Sequence, residues 1–346
     1  MSHSGYNEMY GGMFMAGGLN TEMARLSHRD IRQRRRAIRV LFDLDIPRAL
    51  EAFVPLLNDN DPWFRSKSLE AHRKWAVESG IESLKPLVEH KWIDANRCAA
   101  SLLIQFGSES EKYAKILLAF DDLNCQRKAA ASLLQDSENL ELAQRLSQNT
   151  DYQIRKLAYC GSSADKGLRS KGLEDPNNSV KEAALRVIIS NGEPISEQNI
   201  VDLIKCGIDS SLLSKPAINL GGDSFLKLID SCPSNKNLQF SKVLSEMCND
   251  VDDEQVQTLI KAGQLSIIAR WLRGRKDSKS DALLWKLMDD DRLPTIEKAR
   301  LLERLIGRAG EPEINAHAVE FAIHCQDPLL KVTAENLSTA AAELNI

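Results

Sequence analysis

One short pattern returns at nearly constant spacing through the first half of the chain: a basic residue followed three positions later by a small one. Its members are Arg34/Ala37, Arg65/Ser68, Arg97/Ala100, Arg127/Ala130, Arg155/Ala158 and Lys181/Ala184, spaced 31, 32, 30, 28 and 26 residues apart. A period of this length holds two helices of about 11 residues and two short turns. Because one such pair cannot bury its apolar face alone, neighbouring pairs must stack into a continuous core.

The local sequence of each unit favours a helix around the basic residue. In NDNDPWFRSKSLEAHRKWA, Asp61 is a favourable N-cap, and Pro62 occupies the first helical position, where a missing N–H costs nothing. The small residue lies one turn after the base, where adjacent helices pack closely. Amphipathic segments such as 46–57 and 81–90 lie between these helices and predict the partner helix of each pair.

The second half of the chain keeps the period but loses much of the pattern. Asp327-Pro328 followed by Lys331 and Ala334 restores it, and Lys242/Ser245 fits between, whereas other candidate pairs do not. Residues 23–346 hold about ten to eleven units at this period.

Four phrases carry a resemblance to a known family: DNDPWFRSKSLEAHRKW, NTDYQIRKLAYCG, DPNNSVKEAALRVI and QDPLLKVTAENLSTAA. They resemble HEAT repeats in their short form of about 30 residues, which begin with Asp-Pro and place small residues on the packed face. The resemblance covers residues 28–190 and 327–342 well, and the span between them by period only. It implies an all-α fold, a right-handed α-solenoid of about ten to eleven helix pairs forming an armadillo-type superhelix.

Three segments follow from this pattern. Residues 1–22, rich in Gly and Met, are predicted to form a disordered tail, with a short partner-binding segment as the alternative. Residues 23–190 are predicted to hold well-patterned repeats. Residues 191–346 are predicted to hold degenerate repeats that continue the same solenoid.

Composition limits the classes of function. The chain has 45 Lys and Arg against 49 Asp and Glu, whereas a nonspecific nucleic-acid binder shows a basic excess. Its seven cysteines form no CxxC pair, which is typical of reduced thiols rather than of disulfides or a zinc site. No segment approaches the roughly 18 apolar residues of a membrane span. We therefore expect a cytoplasmic protein that binds no membrane, no metal and no cofactor.

One cation stands at the equivalent position of each repeat, and together these predict a partner-binding ladder. Its members are Arg34, Arg65, Arg97, Arg127, Arg155 and Lys181. A stripe of this kind fits a groove for an acidic peptide or a nucleic-acid backbone. A structural interpretation stays open beside it, because Asp30, Asp61 and Asp151 each precede a ladder arginine by four residues, and such residues bridge adjacent repeats in HEAT-like arrays.

The segment RLSHRDIRQRRRAIRVL, residues 25–41, concentrates positive charge. Residues 23–40 carry seven arginines against Asp30, a net charge of +6. On a helix these arginines cover the face opposite an apolar stripe. We predict Arg35, Arg36 and Arg39 as phosphate or carboxylate contacts, with nucleic acid as a further partner through Arg25 to Arg39. The alternative is a solvated face on a capping first repeat.

The sequence contains no GxxxxGK[ST], GxSxG or HExxH motif. We predict a non-enzymatic scaffold that binds a protein or peptide along a concave helical surface. One alternative is nucleic-acid binding, since the alkylpurine DNA glycosylases resemble this chain in combining a HEAT-like array with tryptophans, an aspartate and basic residues. The nearest local grouping here is Trp92, Asp94 and Arg97. The other alternative is an assembly or lyase-type factor for a cofactor-bearing protein.

Overall fold

The computed structural model describes residues 18–135, 139–232 and 236–344, with side chains as far as residue 340. These residues form an all-α structure, and no strand occurs among them. The first unit contains α1 (Ile31–Leu44), α2 (Leu50–Phe53), α3 (Pro62–Ser79), α4 (Lys85–Val88), α5 (Ile93–Leu102), α6 (Glu111–Leu118), α7 (Leu123–Gln135), α8 (Leu140–Leu146), α9 (Tyr152–Cys160) and α10 (Lys166–Gly172). The second contains α11 (Asn178–Ser190), α12 (Glu197–Lys205), α13 (Ser210–Leu220), α14 (Gly222–Asp230), α15 (Asn237–Met247), α16 (Glu254–Lys261), α17 (Leu265–Leu272), α18 (Ser278–Met288), α19 (Thr295–Leu305), α20 (Pro312–His324) and α21 (Pro328–Leu344).

The contacts within the chain divide it after Gly172 into two compact units, residues 1–172 and 173–346. The boundary predicted from the sequence, after residue 190, is different. It marks where the repeat pattern becomes less regular, whereas the boundary after Gly172 is defined by contacts between residues. The predicted tail falls mostly on residues 1–17, which lie outside the described residues. Residues 18–25 are helical, and Leu19 and Leu26 are buried, so the helical part begins inside the predicted tail.

In the first unit the helices that carry the ladder contact one another in series. The helix α3 packs against α5, α5 against α7, and α7 against α9, while α6 and α8 lie beside this row as partners. The partner segment 46–57 is shorter as a helix than its amphipathic pattern predicts. It forms α2 between two 3-10 turns, because Pro47 and Pro55 remove backbone donors.

The second unit repeats this alternation. The helices α13, α15, α17, α19 and α21 contact one another in series, and α12, α14 and α16 form a neighbouring row. Its core contains the fully buried Trp271, Phe225 and Phe240. No helix among the described residues combines the length and the apolar character needed to cross a membrane.

The small residues of the repeat lie at helix contacts, as their spacing predicts. They are at most 2% exposed: Ala37, Ser68, Ala100, Ala130, Ala158, Ala184 and Ala334. The Ser68 hydroxyl donates to the Phe53 carbonyl oxygen at 2.7 Å, which satisfies the one polar side chain of the set. The pair Lys242/Ser245 predicted for α15 is an exception. Ser245 is exposed and Ser241, one turn earlier, is buried, so the predicted register of this helix is wrong.

A buried histidine makes the first unit sensitive to acid. The ring of His72 is completely buried in α3. Its Nδ1–H donates to the Ser68 carbonyl oxygen at 2.8 Å, and Nε2 has no partner among the described atoms. Burial lowers the pKa of His72, although the bond to Ser68 acts in the opposite direction.

We expect His72 to weaken the fold as the pH falls. Because its folded-state pKa is lowered, the unfolded chain binds the proton first, and this contribution to stability is lost below the unfolded-state pKa of about 6.5. One proton that only the unfolded chain binds lowers the unfolding free energy by at most about 1.4 kcal/mol for each pH unit below that value. Urea unfolding of the wild type and of His72→Gln measures it, since the variant side chain does not titrate. Equal losses in both proteins would contradict this assignment.

Candidate binding surface

Acidic residues stand at the start of the helices that carry the ladder. Asp61 Oδ1 accepts from the Trp63 N–H at 2.9 Å, as its position before Pro62 predicts. Asp151 Oδ1 accepts from the N–H groups of Gln153 and Ile154 at 3.0 and 3.1 Å. These bonds hold each carboxylate at the start of its own helix. One or both of its oxygens can still accept a hydrogen bond from the preceding repeat.

Three of the ladder arginines reach forward to a carboxylate near the start of a later helix, about one repeat along the chain. The pairs are Arg34–Asp59, Arg97–Asp122 and Arg127–Asp151. The Nη2–Oδ2 distance is 2.7 Å in the second pair and 2.6 Å in the third. In both of these pairs Nε also donates to the carboxylate, which gives a two-point contact. Each pair therefore joins one helix of the series to the start of the next.

These contacts keep the carboxylates ionised. The hydrogen bond from Arg97 lowers the pKa of Asp122 to about 2, against the raising effect of burial. The hydrogen bond from Arg127 likewise lowers the pKa of Asp151. The pairs thus hold their charges at neutral pH, where the attraction between them persists.

The remaining ladder cations also make internal contacts. Arg65 Nη1 donates to the carbonyl oxygens of Asp59 and Asn60 at 2.7 and 3.1 Å. Arg155 does the same with the carbonyls of the loop before its own helix, Asn149 and Thr150, at 3.0 and 2.9 Å. The Lys181 ammonium lies 2.8 Å from the Cys206 sulfur.

Each of the six ladder cations therefore has an intramolecular contact, and these contacts are of three kinds: a carboxylate about one repeat along the chain, backbone carbonyls of the loop before the same helix, or a cysteine sulfur. Asp61 and Asp151 accept from Arg35 and Arg127 of the preceding helix, whereas Asp30 caps only its own helix, through the Arg32 N–H. The proposed role of the ladder in binding a partner stays a prediction.

Three arginines of α1 lie on its exposed face and are here called the α1 stripe: Arg32, Arg36 and Arg39. They follow one another at intervals of four and three residues, so a single side of the helix presents all of them. Asp43 continues the same line one turn later and is also exposed. Among the described residues, no side chain pairs with the three arginines. The sequence analysis predicted Arg36 and Arg39 as phosphate or carboxylate contacts. A helical projection of α1 would have added Arg32, because it lies one turn before Arg36 on the same face.

Helix stability does not favour these charges. The first turn of α1 contains no acidic residue, and cations there oppose the positive end of the helix dipole. Arg32 and Arg36 also stand four residues apart, a spacing at which like charges repel. Since the apolar side of α1 already buries Ala37, Ile38 and Leu41, the arginines are not needed to hold the helix in place. Their concentration favours an intermolecular role.

Aromatic rings lie beside two other cations, Arg35 of α1 and Lys67 of α3. The Arg35 guanidinium carbon lies 5.1 Å from the ring centroid of Trp63, and Arg35 pairs with Asp61 at 3.3 Å. The Lys67 ammonium lies 5.8 Å from the Trp63 centroid and 5.6 Å from that of Phe42. Trp63 is half-buried, so its indole is accessible beside two cations.

Other residues selected from the sequence do not converge. Arg97 forms its ion pair with Asp122, and its distance to Asp94 is longer, at 3.6 Å. The Trp92 ring lies beside Arg65 and not beside Asp94 or Arg97. Within the described parts of the chain, no three His, Cys, Asp or Glu side chains come together in a way that could hold a metal ion.

The chain matches no protein-family model, and no curated protein matches its sequence. The family resemblance therefore depends on the repeat pattern and its contacts.

Proposed function

We propose that this chain is a HEAT-like repeat protein that acts as a non-enzymatic scaffold and binds an acidic protein or peptide through the α1 stripe. The observation that carries this proposal is the exposure of Arg32, Arg36 and Arg39, which have no carboxylate partner among the described residues and lie on a helix that they do not stabilise. The ladder cations differ in that each has an acceptor inside the molecule.

The chemistry of the surface suits carboxylates. Guanidinium groups bind carboxylates through two parallel N–H donors, and arginine is enriched at protein interfaces. The half-buried Trp63 beside Arg35 adds an aromatic side chain from α3, and aromatic anchors account for much of the binding energy in interfaces. Residues 1–172 carry 25 Lys and Arg against 22 Asp and Glu, so the unit that bears the stripe is the more basic one.

The repeat assignment draws support from three features within the units. Alternate helices contact one another in series, the small residue three positions after the base is buried, and arginine–aspartate pairs link successive helices. In a repeat array each unit contacts only its neighbours, and its stability comes from such interfaces.

Nucleic-acid binding is the second candidate, and one observation favours it. Trp63 lies beside the cations of Arg35 and Lys67, and an aromatic ring next to cations can stack a base beside a phosphate. The short stripe and the acidic chain as a whole favour the protein partner instead.

An affinity purification from native extract separates the two candidates. The tagged chain is used as bait in two halves of one extract, one of them treated with nuclease. The proposal expects a stoichiometric acidic protein in both halves, released by raised salt because charged contacts are screened. Complete loss of bound material after nuclease treatment would overturn the protein-partner proposal in favour of nucleic acid.

A further inference from the structure

The second unit contains a small cavity of about 170 Å³ with a strongly basic wall. It lies where the turn after α17 approaches the last turn of α19. Five cations line it: Arg273, Arg275, Lys276, Arg304 and Arg308. No carboxylate lines it. This volume is several times the roughly 30 Å³ that one molecule occupies in liquid water. It is smaller than the roughly 300 Å³ at which pockets for drug-sized ligands begin. The cavity suits a small anion rather than a nucleotide or an organic cofactor.

Internal carboxylates neutralise only part of this charge. Arg308 pairs with Asp281 at 2.8 Å and with Glu311 at 2.6 Å, and Arg273 pairs with Glu297. Glu297 is shared with Arg270 and Arg300.

The other cations of the cavity have no carboxylate partner among the described residues. Arg275 donates to the carbonyl oxygens of Asn249 and Cys248, both at 2.5 Å, and Arg304 Nη1 donates to the Arg273 carbonyl at 2.9 Å. Lys276 makes no ion pair there. The five cations and the three carboxylates that pair with them leave a net charge of about +2 at the cavity, and such an excess attracts a multiply charged anion.

Two donors at the cavity are left without acceptors. Arg273 Nε and Arg275 Nε are buried and have no hydrogen-bond partner among the described atoms. An unpaired buried donor is costly, so the internal acceptors do not fully satisfy these two guanidinium groups. Burial, together with the neighbouring Arg270, Arg300 and Arg304, lowers the pKa of Arg273, which indicates how crowded the positive charges are.

Packing against an aromatic ring holds one of the cavity's arginines in place. The Arg275 guanidinium carbon lies 3.8 Å from the ring centroid of the buried Trp271, which holds this side chain flat. Gly274 and Gly307 line the cavity, and a Cβ at either position would meet open space. Backbone as well as side chains is therefore accessible to a bound group.

We propose that this cavity binds a phosphoryl dianion. Phosphate oxygens accept from arginine forks, and two negative charges offset most of the local excess, which a chloride or a single carboxylate would not do. The phosphoryl group comes from free phosphate or from a phosphorylated side chain, both of which present the same three acceptor oxygens. This site is independent of the α1 stripe.

Isothermal titration calorimetry of the full chain with inorganic phosphate tests the proposal. The pocket variant is Lys276→Gln/Arg304→Gln, which removes two exposed cations of the cavity. The control is Lys286→Gln/Arg292→Gln, which removes two exposed cations of the same unit away from it. We expect phosphate affinity to fall about tenfold or more in the pocket variant only, because each lost charge-assisted bond is strong. Circular dichroism confirms that both variants fold.

Phosphate binding of equal strength in the pocket variant and the control, or no saturable binding to the wild type, would overturn the proposal. A phosphoserine peptide and its unphosphorylated form are titrated in parallel to identify the source. Tighter binding of the phosphopeptide than of inorganic phosphate assigns a phosphorylated side chain, and equal or weaker binding assigns the free ion. In either case the pocket variant must lose the interaction.

Discussion

Replacing Asp151 by alanine is expected to lower the unfolding free energy by about 2 to 3 kcal/mol, the sum of a lost N-cap and lost charge-assisted bonds. Asp151 accepts from two N–H groups of α9 and from Arg127 of α7, and its side chain is only 8% exposed. The variant therefore leaves the start of α9 without a cap and the Arg127 guanidinium without its anion. Urea unfolding followed by circular dichroism measures the loss.

Asp121 provides a matched control for this change. It is exposed and precedes α7 in the neighbouring repeat, so Asp121→Ala is expected to change stability by less than about 0.5 kcal/mol. Because Arg127 lowers the pKa of Asp151, the difference between wild type and Asp151→Ala is present above the unfolded-state pKa of about 3.9 and shrinks as the pH falls below it. A loss no larger than that of the control would contradict the role of the pair in joining repeats.

Charge reversal of the α1 stripe is expected to weaken partner binding by at least about tenfold without harming the fold. The variant is Arg32→Glu/Arg36→Glu/Arg39→Glu. The glutamate at position 32 lies in the first turn and interacts favourably with the helix dipole, whereas like charges at i,i+4 repel, so the melting temperature is expected to change little. Loss of binding with retained stability separates an interface from a structural role. Binding is measured by titrating the purified partner against each protein.

A second triple variant controls for net charge. Lys85→Glu/Lys112→Glu/Lys166→Glu makes the same change in charge at exposed positions of the first unit outside α1. It is expected to retain the affinity to within a few-fold, because dispersed charges act mainly on the association rate. Similar losses in both triple variants would mean that overall charge, and not the stripe, governs binding.

The repeat pattern predicted the all-α class, the cap at Asp61 and the burial of the small residues, because these depend on local spacing within one or two helices. The contact partners of the ladder depend on how successive repeats stack. Asp61 and Asp151 accept from Arg35 and Arg127 of an earlier helix, in agreement with the structural interpretation of these aspartates, but their spacing from Arg65 and Arg155 did not identify these partners. The two-point geometry at Asp122 and Asp151 required the packed helices.

The basic cavity of the second unit could not be predicted from the sequence. Its cations lie in the turn 273–276 and near the end of α19, about one repeat apart, and none belongs to the pattern of the first half. The α1 stripe was more accessible to prediction, since its members share a helix face. What the sequence did not reveal is that Arg34 and Arg35 turn toward Asp59 and Asp61 while Arg36 and Arg39 stay without acceptors in the described structure.

Site-specific photo-crosslinking from position 43 tests the binding proposal most directly. Asp43 continues the line of the α1 stripe, so a photoreactive residue there leaves Arg32, Arg36 and Arg39 intact. The same residue at Glu141 in α8, also exposed, serves as the control. The account predicts a crosslink to one acidic protein from position 43 that persists after nuclease treatment and is absent from position 141. Crosslinks from position 141 alone, or only to nucleic acid from position 43, would contradict it.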